Sequence, residues 1–128
     1  MTDSEPLVSG VDFVHLSTKD FEAAVHFYGT VLGLPCTSRY GKHPGGEFET
    51  GNLTLQVMES EAFGLEFECA PNPIALHVDD VEAVRGELES HGVTFSADTI
   101  DSGVCHMAFF EDPDGNALML HHRYAPRA

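Results

Sequence analysis

VHLSTKDFEAA at residues 14–24 and IALHVDDVEAV at residues 74–84 are two copies of one pattern, and this duplication decides the fold. The matched residues, each pair 60 positions apart, are Leu16 and Leu76, Asp20 and Asp80, Glu22 and Glu82, and Ala23 and Ala83. Each copy is typical of an apolar strand, an acidic N-cap and a helix, and short strand-like segments follow. Because two copies are too few for a solenoid, we expect a pseudo-symmetric fold with a shared cavity where the modules meet.

The composition limits the class of protein. A chain of 128 residues with a hydrophobic fraction of 42% suits one globular unit with its own core. The sequence has no apolar run as long as a membrane span, and its start, MTDSEPLVSG, lacks the features of a secretory signal. Cys36, Cys69 and Cys105 are an odd number of widely spaced cysteines, which favours free thiols. We therefore expect a cytoplasmic protein that does not enter the membrane.

The composition is strongly acidic. The chain carries 21 acidic against 6 basic residues, for a formal net charge of −15. Such a surface repels phosphate backbones, so nucleic acid is not an expected partner. It would attract cationic small molecules, or it could serve only to keep the protein soluble.

The chain divides into two βαβββ modules. We expect a flexible lead-in at 1–9, a first module at 10–60, a connection at 61–72 and a second module at 73–124. The first helix is predicted from the cap Asp20 to about Leu32, and the second from Asp79 or Asp80 to Gly92. Strands are predicted near residues 11–17, 35–41, 46–50, 53–59, 73–78, 93–97, 103–111 and 117–124.

Alternation within the strands separates two faces of the sheet. One face is aliphatic and should pack against the helices, with Val14, Leu16, Leu53, Leu55, Val57, Ile74, Leu76, Val78, Leu118 and Leu120. The other is a mixed, concave face that should line a ligand cavity, with Phe13, His15, Gln56, Met58, His77, Met119 and His121. No carboxylate is predicted on the concave face, which argues against a charge relay. Cys105 and His106 stay unplaced, because the orientation of their strand is ambiguous.

Two longer segments carry a family likeness. AAVHFYGTVLGLP at 23–35 and FFEDPDGNALML at 109–120 resemble the vicinal oxygen chelate superfamily, which includes glyoxalase I, fosfomycin-resistance transferases, extradiol dioxygenases, methylmalonyl-CoA epimerases and bleomycin-binding proteins. The resemblance implies an α+β fold in which two βαβββ modules form a curved eight-stranded half-barrel around a cavity, with helices on the outer face. It also commonly implies a homodimer whose cavities combine modules of two subunits.

The resemblance further implies one divalent ion held by His, Glu or Gln at four positions. In this sequence those positions are Phe13, Pro73, Met119 and either Gln56 or Leu55. Phe and Pro offer no donor atom, and a thioether is a poor ligand for hard or borderline ions. The usual metal site is therefore predicted to be missing, and no cofactor is expected. A displaced site formed by His15, His77 and His121 would be the alternative, with one divalent metal ion.

Three functions are compatible with the sequence. The first is a small-molecule-binding protein of the bleomycin-resistance type, which would sequester an amphipathic and, given the acidic surface, cationic compound. The second is an enzyme of the same superfamily, a lyase, isomerase or dioxygenase, using the displaced His-rich metal site or metal-free acid/base chemistry. A structural or regulatory dimer with a vestigial cavity is a third interpretation. The sequence leaves the ligand or substrate open.

Overall fold

The computed structural model describes residues 5–127, so the first four residues of the predicted lead-in lie outside the described residues. The first module consists of β1 (Phe13–Ser17), α1 (Phe21–Ala24) with its direct continuation as a π-helix (Val25–Val31), β2 (Cys36–Arg39), β3 (Gly45–Glu49) and β4 (Thr54–Met58). A 3₁₀ turn, Ser60–Phe63, begins the connection. The second module consists of β5 (Ile74–His77), α2 (Val81–Ser90), β6 (Ile100–Asp101), β7 (Cys105–Glu111) and β8 (Ala117–Arg123).

Each module forms its own four-stranded sheet. The strand orders, β1-β4-β3-β2 and β5-β8-β7-β6, are equivalent, and in both sheets the first and last strands of the module pair in parallel. The predicted α+β fold with two βαβββ modules is confirmed. Between residues 5 and 127 no ladder joins the two sheets, so the eight strands do not close into a barrel. None of the helices in this range could span a bilayer.

The two acidic caps begin the helices as the duplicated pattern predicts. Asp20 accepts a hydrogen bond from the Ala23 amide at 3.2 Å, and Asp80 accepts one from the Ala83 amide at 3.0 Å. The choice between Asp79 and Asp80 is thereby decided in favour of Asp80. Asp79 is left on the surface with no role in the helix cap.

The first helix differs from the prediction in its periodicity. The Leu32 amide bonds the Phe27 carbonyl at 2.9 Å, an i→i−5 bond that widens the turn. Because a π-turn advances each residue by a smaller angle than an α-turn, both Phe27 and Tyr28 reach the core, at 6% and 0% exposure. An α-helical spacing of i, i+3, i+4 and i+7 from Phe21 passes through Tyr28 but not through Phe27.

The strand predicted near 93–97 was wrong. Only Phe95 of that segment pairs with the sheet, through an isolated bridge to Phe110, and the edge strand β6 forms later, at Ile100–Asp101. Phe95 is buried and its ring stacks on Phe110 at 5.0 Å. A single aromatic anchor therefore fixes this segment without a run of backbone pairs.

The aliphatic face packs against the helices as predicted, and it forms a core that spans both modules. Five of its members are at most 2% exposed, namely Leu16, Leu55, Val57, Leu118 and Leu120. Ile74 and Leu76, on the edge strand β5, are only half-buried. The face that packs against the helices was thus correctly assigned, and its edge on β5 lines a cleft.

A buried network of hydrogen bonds among Tyr28, Asp112, Asn116 and Ser17, called here the buried knot, connects the two modules. The Tyr28 hydroxyl donates to the Asp112 carboxylate at 2.6 Å, and the Asn116 side-chain amide donates to Asp112 at 2.7 Å and to the Ser17 carbonyl at 2.9 Å. Burial, and next the charge of Asp112, raise the pKa of Tyr28 far above its usual value. The two segments that carry the family likeness, the FY helix end and the DPDGN turn, are therefore in direct contact.

Candidate functional site

The face of the first sheet that points away from the helices, called here the first open face, is a polar surface built from three strands. The register of the three strands arranges these side chains in rows across the face. In one row His15 lies beside Gln56, and Gln56 lies beside Glu47. One row further along, Thr54 lies beside Glu49, and the Thr54 hydroxyl donates to that carboxylate at 2.8 Å. Side chains of directly paired residues point the same way, so all five groups share one face.

The imidazole of His15 has a defined orientation and tautomer. Its Nδ1 lies 3.2 Å from the Gln56 side-chain carbonyl oxygen, which can only accept, so Nδ1 carries the proton. In the neutral ring Nε2 then accepts from the Ser17 hydroxyl, also at 3.2 Å. The Ser17 and Ser60 hydroxyls hydrogen-bond to each other, and both serines are buried. The result is an imidazole held from both sides on an otherwise exposed part of the face.

The chain of hydrogen bonds continues from Gln56 to a carboxylate. The Gln56 side-chain nitrogen donates to the Tyr40 hydroxyl at 3.2 Å, and that hydroxyl donates to Glu47 at 2.6 Å. Burial, followed by the hydrogen bond to Glu47, raises the pKa of Tyr40. All donors along this path point toward Glu47, an arrangement in which each bond polarises the next.

The prediction that the concave face lacks a carboxylate was wrong. Glu47 and Glu49 both lie on the first open face, because they pair with Gln56 and Thr54, whereas Phe48 between them is fully buried. The alternation Glu-Phe-Glu after two glycines was a sufficient signal for this placement. The two carboxylates were not predicted, because the alternating residues of the strand expected near 46–50 were not assigned to the two faces of the sheet.

Close backbone approach also shapes the first open face. A Cβ atom on Gly45 would lie 2.9 Å from both the Met58 Cβ and the Tyr40 ring, so the absence of a side chain leaves room for Tyr40. Met58 is half-buried beside this gap, and Phe13, at the other end of the face, is 50% exposed. The polar centre is therefore bordered by two apolar side chains that could contact a ligand.

The corresponding face of the second sheet, the second open face, is more apolar. Met119 lies beside Phe109, and His121 lies beside Met107, all of them half-buried. The core side of this strand is marked by Ala108 and Phe110, which are almost fully buried. The orientation that the sequence left ambiguous is thereby settled for β7.

The seven predicted cavity residues are distributed over the two sheets. Phe13, His15, Gln56 and Met58 belong to the first open face, and Met119 and His121 to the second. A cleft of about 760 Å³ does lie where the modules meet, but on the helix side of the sheets. Its apolar lining includes Val31, Leu32, Leu34, Leu53, Ile74, Leu76, Val84 and Leu88. Of the seven predicted residues only His77 reaches it.

The three histidines of the predicted displaced metal site lie on two different sheets. His15 is engaged on the first sheet, whereas His77 and His121 are neighbours on the second. Among residues 5–127 the three potential ligands that come together are instead His77, Asp79 and His122, with one ligating atom of each within 4.8 Å of the other two. The site formed by His15, His77 and His121 stays a prediction.

Cys105 and His106 now have positions. Cys105 is buried and has the same parity as Met107, while His106 has the parity of its register partner His122, so the two side chains point to opposite faces. The His106 ring stacks on Tyr124 and lies 3.4 Å from Asp101. No nucleophile–base pair forms between the neighbouring cysteine and histidine.

Comparison with known proteins agrees with this architecture. Residues 10–120 match the family model of the Glyoxalase/Bleomycin resistance protein/Dioxygenase superfamily. The Uncharacterized protein YaeR of Escherichia coli (strain K12) is 28% identical over 122 residues, a match that covers 87% of this chain and 94% of that protein. The expected family is thereby confirmed.

Two solved structures illustrate the likeness in three dimensions. A putative glyoxalase family protein from Bacillus anthracis superposes with a TM-score of 0.78 at 21% identity, covering 94% of this chain and 99% of the other. Lactoylglutathione lyase from Agrobacterium tumefaciens superposes with a TM-score of 0.75 at 17% identity, covering 89% and 93%. At these identities the superpositions establish the fold alone.

Proposed function

Because this chain belongs to the glyoxalase/bleomycin resistance protein/dioxygenase superfamily, we propose that it is a small-molecule-binding protein whose ligand docks on the first open face. Binding there does not use a metal ion at the positions implied by the family. The observation that carries this proposal is the hydrogen-bonded path from His15 through Gln56 and Tyr40 to Glu47, which presents fixed donors and acceptors beside exposed apolar surface.

The side chains at the family's metal positions support a metal-independent role. Phe13, Pro73 and Met119 supply no oxygen or nitrogen donor from their side chains. Gln56 is the one candidate ligand, and both ends of its amide are already engaged, by His15 and by Tyr40. These residues do not fit a divalent ion held in the usual way.

The chemistry of the face favours an amphipathic ligand with a cationic or hydrogen-donating group. Glu47 and Glu49 place two carboxylates on it, and Phe13 and Met58 flank them with apolar surface. The net charge of −15 adds long-range attraction for cations. A planar or extended cation could contact the carboxylates and the Phe13 ring together.

A homodimer would complete the cavity, and we include it in the proposal. Among the described residues the side chains of the two open faces, one polar and one bearing Met107, Phe109 and Met119, are largely half-buried and leave surface that a second copy would cover. Packing the first open face of one copy over the second open face of another would enclose a ligand between them. Light scattering should then give twice the 13.9 kDa of one chain.

A second candidate is a metal-free isomerase or lyase. It is favoured by the tautomer of His15, whose Nδ1 proton is held by Gln56 and whose Nε2 is thereby the atom that accepts a proton. Displacement of the Ser17 hydroxyl by a substrate would free that atom for general-base catalysis. Conversion of a bound compound in the presence of EDTA would favour this candidate over simple sequestration.

The compartment is part of the same proposal. Cys36, Cys69 and Cys105 are all free thiols, and two of them are exposed. Exposed thiols persist in a reducing environment, which supports the cytoplasm.

The test is calorimetric titration with metal-free bleomycin and a set of planar aromatic cations, all in EDTA. Glu47→Gln removes the charge and should weaken binding by about ten-fold, equivalent to about 1.4 kcal/mol for a charged contact. Gln56→Leu should weaken it further by breaking the path to His15. The matched control is Glu66→Gln, a change of the same kind at an exposed residue outside the face.

The outcomes separate the alternatives. Binding that persists in EDTA and falls in Glu47→Gln but not in Glu66→Gln would support the proposal. The absence of binding by every compound, or binding that is unchanged in both Glu47→Gln and Gln56→Leu, would contradict it. Binding that needs an added divalent ion would contradict the metal-independent part.

A further inference from the structure

A compact group of three ligating side chains lies at the end of β5, away from the first open face. His77 Nε2 lies 3.2 Å from an Asp79 carboxylate oxygen, and the His122 ring lies 5.9 Å from the His77 ring, centre to centre. One ligating atom from each residue lies within 4.8 Å of the other two. The three residues will be called the His77 cluster.

The fold itself does not require these side chains. Asp80 caps α2, so Asp79 is free of that structural duty. The duplication offers an internal comparison, because the positions 60 residues earlier carry Ser17 and Lys19 in the first module. A βαβββ module therefore forms with neither a histidine nor an aspartate at these places, and the pair in the second module needs another explanation.

His122 provides an independent observation. Its Nδ1 is buried and, within residues 5–127, has no hydrogen-bond partner. Buried polar atoms are nearly always satisfied, and this orphan nitrogen belongs to a ring that lies next to a second imidazole and a carboxylate, a group of donors that a bound cation would complete. His77 and Asp79 have side chains that are 71% and 99% exposed, so they can move toward such an ion.

The donor set selects the class of ion. Two imidazole nitrogens and one carboxylate oxygen suit Zn²⁺ and its neighbours Ni²⁺ and Cu²⁺, whereas Mg²⁺ and Ca²⁺ prefer oxygen alone. Tetrahedral bonds of about 2.0–2.2 Å put neighbouring ligand atoms about 3.4 Å apart. The His77–Asp79 separation of 3.2 Å already matches this spacing, and the third ligand atom must close by at most about 1.4 Å.

We propose that His77, Asp79 and His122 bind one divalent cation of the Zn²⁺ class. Three protein ligands leave a fourth position open, and His77 also lines the cleft between the modules, so an exogenous group could complete the coordination from that side. The site shares no residue with the family's metal positions or with the first open face. It is therefore independent of the ligand-binding proposal.

The experiment uses the full chain without a His-tag, stripped with EDTA and then exchanged into chelator-free buffer. Calorimetry with Zn²⁺ should give one ion per chain, and Co²⁺ should give the absorption bands of a tetrahedral site, which Zn²⁺ displaces. His77→Gln and Asp79→Asn change exposed side chains, so both variants should fold, and each should weaken Zn²⁺ binding by at least roughly ten-fold. His122→Gln should do the same.

His91→Gln is the matched control, since His91 is an exposed histidine that lines the same cleft but lies outside the His77 cluster. Its Zn²⁺ affinity should equal that of the unmodified chain. The absence of Zn²⁺ binding would overturn the proposal, as would binding that survives in both His77→Gln and Asp79→Asn, or binding that is lost in His91→Gln instead. Because the readout is metal affinity, a failed ligand screen on the first open face would not affect this result.

Discussion

Replacing Tyr28 with phenylalanine tests whether the buried knot between the modules stabilises the fold. Tyr28→Phe keeps the ring, which packs edge-on against Phe27 at 5.0 Å and against Phe48 at 5.7 Å. The change removes only the hydroxyl, and with it the 2.6 Å hydrogen bond donated to Asp112. The variant therefore isolates one charge-assisted hydrogen bond in a fully buried setting.

The expected loss follows from the remaining partners of the carboxylate. A hydrogen bond to a charged group contributes about 1.5–3 kcal/mol, and a fully orphaned buried charge costs more. Asp112 keeps three donors after the change, namely the backbone amides of Asp114 and Asn116 and the side-chain amide of Asn116. We therefore expect the free energy of unfolding to fall by about 2 kcal/mol, and the melting temperature by about 8 °C for a chain of this size.

Urea unfolding followed by circular dichroism measures this loss, and the chain supplies a matched control. Tyr124 donates a hydrogen bond to Asp101 at 2.7 Å, but on the surface, so Tyr124→Phe should leave the urea midpoint almost unchanged. If Tyr28→Phe were no more destabilising than Tyr124→Phe, the reasoning that the knot holds the modules together would be refuted. A double-mutant cycle that combines Tyr28→Phe with Asp112→Asn measures the coupling energy between these two side chains.

Three further predictions concern stability. Because folding raises the pKa of Tyr28 above its unfolded value of 10.0, the stability that this residue contributes is fully present below pH 10 and is lost above it. Above pH 10 the free energy of unfolding should fall by up to about 1.4 kcal/mol per pH unit. Urea titrations over this range should find a smaller dependence of stability on pH in Tyr28→Phe. Gly46→Ala should destabilise the fold by about 2 kcal/mol, since its Cβ would lie 2.7 Å from the Ser38 carbonyl oxygen. Gly86→Ala lies in open space on α2 and should stabilise the fold by up to about 1 kcal/mol. Thermal melts in which Gly46→Ala is the more stable of the two variants would contradict this. Asp80→Ala should cost about 1 kcal/mol through the lost helix cap, and an unchanged urea midpoint would argue against that role.

Local features of the sequence predicted most of the fold, and the errors have identifiable causes. The cap Asp20 was correctly found and the second cap was narrowed to Asp79 or Asp80, because N-capping depends on a few neighbouring residues. The edge strand of the second module was misplaced because one anchor, Phe95 on Phe110, replaced a run of paired residues. Burial of Phe27 was missed because a π-turn is selected by packing and leaves no distinct periodicity.

The candidate site was predicted in part. His15 and Gln56 were placed on one face from the period-two alternation, and the register confirms that they are neighbours. The carboxylates of Glu47 and Glu49 were missed, because their face depends on which strand β3 pairs with and in which register. The approach of Asp79 to His122 was also outside the reach of local patterns, since it depends on the pairing of β5 with β8.

By itself, the sequence determined the duplicated βαβββ architecture, the first helix cap and the face of each sheet that packs against the helices. These features follow from hydrophobic periodicity and from hydrogen bonds between close neighbours in the chain. Only the tertiary structure decided that Tyr28 bonds Asp112, that Glu47 ends a path from His15, and that the cleft between the modules opens on the helix side. Contacts between residues far apart in the chain depend on how strands pair and modules pack, and alternation within a single strand carries no information about either.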